Sequence, residues 1–233
     1  MDPCREARLR FNPSRASKAQ ELLSKLVKVE DDYGVVERVG GLDVSYFKDG
    51  SLGLGVLVIL KYPELAAVKC FYAVKRVCIP YIPGLLAFRE MEVLTPLLSR
   101  ALADERVDIL VVDGHGIAHP RKAGIASHIG LAFNKPSIGA AKRILAGREE
   151  LVGGRRLIVY RGEIVGGVIE AEGQKIYVSP GHRISVETAL KLVATMMKKG
   201  ERMPEPTRLA DSISRKLRDT VKTEKIGECR VLQ

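Results

Sequence analysis

The hydrophobic and polar positions of the chain fall into short blocks of changing period. Residues 17–28 place Leu22, Leu23, Leu26 and Val27 on one stripe, the pattern of an amphipathic leading helix. Three strand-like runs follow at 39–47, 52–61 and 67–77, parted by turn signals at Asp49-Gly50 and around Pro63, and together they predict an antiparallel meander. Helical periodicity returns over 85–103, with a kink or break expected near Pro96. The run 107–112 (VDILVV) suits a buried strand. Beyond a glycine-rich loop come a short strand at 136–140, a hairpin-like region at 157–178, and closing helices at 185–199 and 207–218. This order predicts an α/β fold: a mixed β-sheet of three antiparallel strands followed by parallel strands, flanked by helices. No internal repeat or long linker interrupts it, so residues 1–233 read as a single domain.

Composition narrows the partners. With 233 residues and 46% hydrophobic content the chain can bury a core. It has no apolar stretch of the ~18 residues a membrane helix needs, and its first residues lack the apolar segment of a secretory signal. No membrane partner, a soluble cytoplasmic location and a monomer are therefore the expectations. The 38 Lys and Arg against 28 Asp and Glu give a net charge of +10, which favours a polyanion such as nucleic acid. Cys4, Cys70, Cys78 and Cys229 show no metal-ligand spacing and read as packing or incidental thiols. A Cys70–Cys78 bridge would be unusual in a reducing cytosol unless the source were a hyperthermophile.

Three acids stand where pattern alone does not want them. In VGGLDVSYF a period of two puts Asp43, Ser45 and Phe47 on one strand face, opposite Leu42, Val44 and Tyr46. Asp is disfavoured in strands, and a solvated face is the competing explanation. Glu90 shares a helical face with Leu86, Val93, Leu94, Leu97 and Ala101, so it interrupts an apolar stripe. A carboxylate aimed at a core is costly unless it is paired or bound to metal. Asp113 ends the VDILVVD run and precedes Gly114 and Gly116, which fits either the ligand-binding edge of an open α/β sheet or a plain Asp-Gly turn. If the three converge, such oxygen ligands suit Mg²⁺ or Mn²⁺, which can polarise a phosphodiester and activate water.

These residues lie in strings that resemble the endonuclease V (deoxyinosine endonuclease) family. The strings are LDVSY at 42–46, PYIPG at 80–84, FRE at 88–90, VDGHGIAHPRKAGIASHIG at 112–130, IGAAK at 138–142, GHRIS at 181–185 and PEPTRLAD at 204–211. They occur in the family's order from about residue 38 to residue 211. The resemblance implies an RNase H-like fold, Mg²⁺ as cofactor with Mn²⁺ as substitute, and deoxyinosine-containing DNA as partner. An RNase H-like nuclease acting on inosine-containing RNA or on branched DNA is an alternative reading, and a non-catalytic lesion-binding protein an alternative role. It implies incision at the second phosphodiester 3′ to the lesion, leaving 3′-hydroxyl and 5′-phosphate ends. By the same resemblance Asp43, Glu90 and Asp113 are metal-binding catalytic acids, and His119, Lys142 and Asp211 support them.

Substrate-binding candidates come from the loops. Pro80 and Pro83 stiffen PYIPG, Gly84 lets backbone approach a ligand, and Tyr81 is the tip. In the family this motif is a wedge that fills the space of a displaced base. Gly116 and Gly124 resemble parts of the pocket for the flipped base, and Arg121 lies in the same string. His115 and His128 complete a histidine-rich segment with no cysteine to make a zinc site. Asp211 sits four residues before Arg215 on the last helix, so an ion pair is its plainer reading.

Overall fold

The computed structural model describes residues 4–229. Strands β1 (Arg38–Tyr46), β2 (Leu52–Lys61) and β3 (Ala67–Arg76) form the expected meander, with Asp43 opposite Val56 in the β1–β2 register. Helix α3 (Leu86–Asp104) is the crossover that lets β4 (Ile109–Asp113) return parallel to β1, since parallel neighbours cannot be joined by a tight turn. Next come α4 (Ile125–Phe133) and β5 (Ser137–Ala141), the latter parallel to β4. Four antiparallel strands follow: β6 (Arg148–Val152), β7 (Arg155–Tyr160), β8 (Glu163–Ala171) and β9 (Gln174–His182). Helices α5 (Val186–Thr195) and α6 (Glu205–Thr220) precede β10 (Lys225–Glu228). Among the described residues all ten strands join one sheet, in the order β10-β3-β2-β1-β4-β5-β9-β8-β7-β6.

Alternation along the central strands sorts the core into two layers. Val39, Leu54, Val56, Val58, Ile109 and Val111 pack with Ala189, Val193, Ala210 and Ile213 of α5 and α6. Leu42, Leu57, Ile59, Leu110 and Val112 pack with Val93, Leu94, Leu97 and Ile129 of α3 and α4. Each fully buried Leu, Ile or Val contributes about 1.5–3 kcal/mol. Gly41 is where α6 presses onto β1: a Cβ there would collide with the backbone of Pro206.

Several local expectations are corrected. The leading helix α2 runs over Pro13–Ser24, four residues earlier than its leucines suggest, because Asn12 caps it through the Arg15 amide and Pro13 opens it. Its buried residues are Ala16 and Gln20, while Leu22 and Leu26 are exposed. Helix α3 continues through Pro96 without a break, since apolar residues on both sides of the proline pack on the same sheet face. A short helix α1 (Arg5–Arg10), helix α4 and strands β6 and β10 have no counterpart in the periodicity.

The cysteines are not incidental thiols. Cys4 pairs with Cys78 and Cys70 with Cys229, across 74 and 159 residues of sequence. Among the described residues none is free. Each bridge fastens a terminal segment to the β3 region, a proximity created by the tertiary fold and invisible in the local spacing.

Candidate active site

Parallel register brings two of the acids together. Leu42 of β1 pairs with Val112 of β4, so Asp43 and Asp113 are the next residues on adjacent strands, at the usual ~4.8 Å strand spacing. By alternation both point to the α6 side, where the Ser214 hydroxyl lies 2.9 Å from Asp43 Oδ2. Burial pushes the Asp43 carboxyl up to about 6, and the Asp113 charge adds to the shift while the Ser214 hydroxyl opposes it.

Glu90 approaches from α3. It is 8% exposed among Ala87, Val93 and Leu94. No hydrogen bond or ion pair reaches its carboxyl among the described residues. Burial, then the charges of Asp43 and Asp113, push it up to about 8. Against this negative cluster stands Lys142, whose ammonium donates to Asp113 Oδ2 at 2.8 Å. Burial pulls the Lys142 ammonium down, but Asp113, Asp211 and Asp43 outweigh it and hold its pKa above the ordinary value. Asp211 pairs with Arg215 at the periphery, and its charge still reaches Asp43.

As the side chains stand, no three His, Cys, Asp or Glu among the described residues form a group arranged to hold a metal ion. Asp43 is turned to Ser214 and Asp113 to Lys142. The donor chemistry nonetheless fits a hard divalent cation: the ligands available are carboxylate oxygens, and the nearby Arg89 charge only partly offsets the burial of Glu90 and its crowding by Asp43 and Asp113.

Beside the acids lies a cavity of about 130 Å³, lined by Tyr81, Gly84, Leu86, Ala87, Glu90 and Asp113 on one side. Gly114, His115, His119, Gly124, Ile125 and Leu145 complete it. A cavity of roughly 150 Å³ admits a benzene ring, so the scale is that of one flat ring system, with the mouth open to more. Tyr81 stands 67% exposed at the rim.

The loop that carries Tyr81 is held from several sides. Glu92 Oε2 accepts from the Cys78 and Ile79 amides, and Arg89 donates to the Ile79 carbonyl at 2.6 Å while stacking over the Tyr46 ring. Gly84, at φ +77°, takes a backbone conformation that only glycine adopts cheaply. Its carbonyl accepts from His119 Nε2 at 3.1 Å and from Arg121 at 2.5 Å. His119 Nδ1 in turn accepts from the Arg121 amide, which fixes the Nε2–H tautomer. Burial, reinforced by the nearby Arg121 charge, brings His119 down to about 4, so the ring is neutral near pH 7.

The sequence-derived residues thus separate into groups. Asp43, Glu90, Asp113, Lys142 and Asp211 share one electrostatic neighbourhood. Tyr81, Gly84, His119 and Gly124 line the cavity, whereas Pro83 belongs to the loop behind it. Gly116 lies deeper, its amide donating to Ser179 Oγ, and the Gly124 amide donates to the Gly116 carbonyl. Arg121 spends its donors inside the protein, on Gly84 and on Gln20 Oε1 at 2.6 Å. His128 is buried against Phe88 and Gln20 rather than open to a ligand, and burial brings it down to about 4. His182 and Arg183 tie the segment at Lys28 and Asp32 to the end of α4 at Asn134. Sequence reasoning missed Gln20, Ser214 and Leu145; only Ser214, three residues after Asp211 on α6, carried a spacing that could have revealed it.

Acids at the carboxyl edge of a mixed sheet with helices on both faces are consistent with an RNase H-like α/β fold. The endonuclease V family model matches residues 20–212, and the chain belongs to that family. It is 44% identical over 217 residues to endonuclease V of Aeropyrum pernix, covering 93% of this chain and 84% of that protein. The crystal structure of endonuclease V from Streptomyces avermitilis superposes with a TM-score of 0.80 at 31% identity, covering 88% of this chain and 92% of that one. A Ciona intestinalis endonuclease V (D234N) bound to a 23mer DNA containing an inosine followed by a ribo-adenosine superposes at 0.76 with 28% identity, covering 90% and 98%.

Proposed function

We propose that this protein is a divalent-metal-dependent endonuclease that recognises deoxyinosine in DNA and hydrolyses the second phosphodiester bond on its 3′ side. The products are 3′-hydroxyl and 5′-phosphate ends. The observation that carries the reading is Glu90, a buried carboxyl crowded by Asp43 and Asp113 at the wall of a ring-sized cavity with Tyr81 on its rim. Support for the substrate comes from the inosine-containing DNA held by the Ciona relative.

In this reading Asp43 and Asp113 would hold the cation from the sheet and Glu90 from α3. When bound, Mg²⁺, or Mn²⁺ in its place, would polarise the phosphodiester and activate water. Lys142, bonded to Asp113 as the side chains stand, would place its ammonium against a phosphate oxygen. Tyr81 stacks in the space left by the flipped base, while His119 and Arg121 keep the Gly84 carbonyl, and with it the wedge, at a fixed distance from the cavity. Neutral His119 is a positioning residue here, since both ring nitrogens are engaged.

The test is an incision assay on a labelled duplex with one deoxyinosine, read at nucleotide resolution with Mg²⁺, Mn²⁺ and chelator. A cut at the second bond that requires metal is expected. Equal cutting of the lesion-free duplex would overturn the specificity, and a matched inosine RNA in the same series reads which sugar is preferred.

A further inference from the structure

We propose that helix α1 is a phosphate-binding arm for the duplex flanking the lesion, locked beside the Tyr81 loop by the Cys4–Cys78 disulfide. The inference rests on the DNA-directed reading of the site and adds a contact surface to it.

Six residues cannot hold a helix alone in water, where even 12–15 are marginal. This one is pinned at both ends. Cys4, at its start, is bonded to Cys78 with the Cα atoms 4.8 Å apart, and Cys78 is two residues from Pro80 and three from Tyr81. Phe11, at its end, packs edge-on against Phe88 of α3, with ring centroids 6.0 Å apart. Between the pins lie Arg5, Arg8 and Arg10, all on exposed positions, with Glu6 the one acid. The Arg10–Glu6 pair is largely solvated on both sides, so a phosphate can compete for the guanidinium at small cost.

The placement explains why so short a helix is fastened. Stacking a tyrosine into a duplex demands that the backbone on either side be gripped, because unstacking costs a few kcal/mol. A basic arm tied to the root of the same loop supplies grip at a fixed offset from the wedge. Arginine suits this use through its planar, bidentate donors.

The test uses the full chain and fluorescence anisotropy without divalent metal, on inosine and lesion-free duplexes over a range of salt. For the R5Q/R8Q/R10Q variant, binding should weaken on both duplexes. The slope of log K against log salt should fall by ~2–3, since each lost phosphate contact removes about 0.9. Shortening one flank of the duplex, and not the other, should erase the difference from the parent protein. C4S keeps every arginine but frees the arm, so it should weaken binding by a smaller factor. Dithiothreitol should weaken binding by the parent protein more than by C4S, since both share the reducible Cys70–Cys229 bridge and only the parent protein has Cys4–Cys78 to lose. An unchanged salt slope in the triple variant overturns the arm, and parent-like binding by C4S overturns the lock. A parent protein that binds duplex with the predicted slope yet fails to incise inosine would instead overturn the proposed function.

Discussion

The acid edge and the wedge rim touch the same cavity and are built on opposite principles. At the rim, the groups that hold the Tyr81 loop are satisfied inside the protein: the Gly84 carbonyl has two donors, both His119 nitrogens are occupied, and Gln20, fully buried, bonds Arg121, His128 and the Ala123 carbonyl. At the edge, acids outnumber bases: Lys142 reaches Asp113, Arg215 is drawn off to Asp211, and among the described residues no hydrogen bond reaches Glu90. A satisfied network fixes shape before a substrate arrives, whereas a crowded set of buried carboxylates stores unfavourable energy that a cation can release. Under the proposed function the contrast gives geometry to the rim and metal recruitment to the edge.

The largest effect should come from the edge. Asp43→Ala or Asp113→Ala removes a sheet-borne carboxylate, and incision of the inosine duplex should fall by roughly 10⁴-fold or more, as when a group acting within a catalytic unit is lost. Metal-free duplex binding should hold or tighten, because a negative charge facing the phosphate has gone. Single-turnover incision and anisotropy on the same preparations check both halves. Rates within about tenfold of the parent protein would dissolve the contrast.

Glu90→Gln tests the stored energy directly. A buried acid whose folded pKa is about 8, against an ordinary 4.5, keeps a proton that the unfolded chain releases. Stability therefore falls as pH rises from about 4.5 to 8 and levels off above. Without divalent metal the glutamine variant should lack that slope and, above pH 8, exceed the parent protein by roughly 2–5 kcal/mol. Below pH 4 the two should melt together. Added Mg²⁺ should raise the melting temperature of the parent protein most at high pH and the variant little. Parallel pH profiles for the two proteins would show that Glu90 is not the strained member.

How far these features were legible in the sequence follows the same division. Asp43, Glu90 and Asp113 were visible because each breaks a regular pattern: an acid in a strand, an acid in a helical stripe, an acid closing an apolar run. The central sheet was legible for the same reason, since alternation in β1–β3 and the short runs of β4 and β5 are locally determined. The rim was not. Gln20 reads as one more polar position on a surface helix, and only the fold places it 103 residues away in sequence against Ala123. Arg121 read as a substrate contact, although its guanidinium is spent on Gly84 and Gln20. Helix α4 hid because Ser127, His128 and Gly130 interrupt its apolar pattern, and both disulfides hid because their partners meet only after folding.

Arg121→Ala probes the rim with a smaller effect. It leaves Gln20 Oε1 without its donor and the Gly84 carbonyl with one of its two, at a cost of about 1–3 kcal/mol, or roughly 2–10 °C in Tm. With the wedge loosened, KM for the inosine duplex should rise more than kcat falls, and preference over the lesion-free duplex should narrow. An equal loss in kcat and kcat/KM would move Arg121 from shaping the rim to acting in the reaction itself.

The smallest effect separates charge from structure at the margin of the edge. Asp211 is paired to Arg215 in a partly solvated site, so Asp211→Asn should change stability by no more than about 0.5–1 kcal/mol. Its charge, however, contributes to holding Asp43 up. Removing that charge should let Asp43 ionise at lower pH, displacing the acidic limb of the incision profile downward while the plateau changes modestly. Two opposing consequences are distinguishable in one pH series: if Asp211 only tunes Asp43, the limb moves and the plateau stays, whereas if Asp211 itself holds the cation, the plateau collapses at every pH and recovers as Mg²⁺ is raised. The second result would extend the acid edge onto α6, and the boundary between a charged site and its surrounding ion pairs would have to be drawn one residue further out.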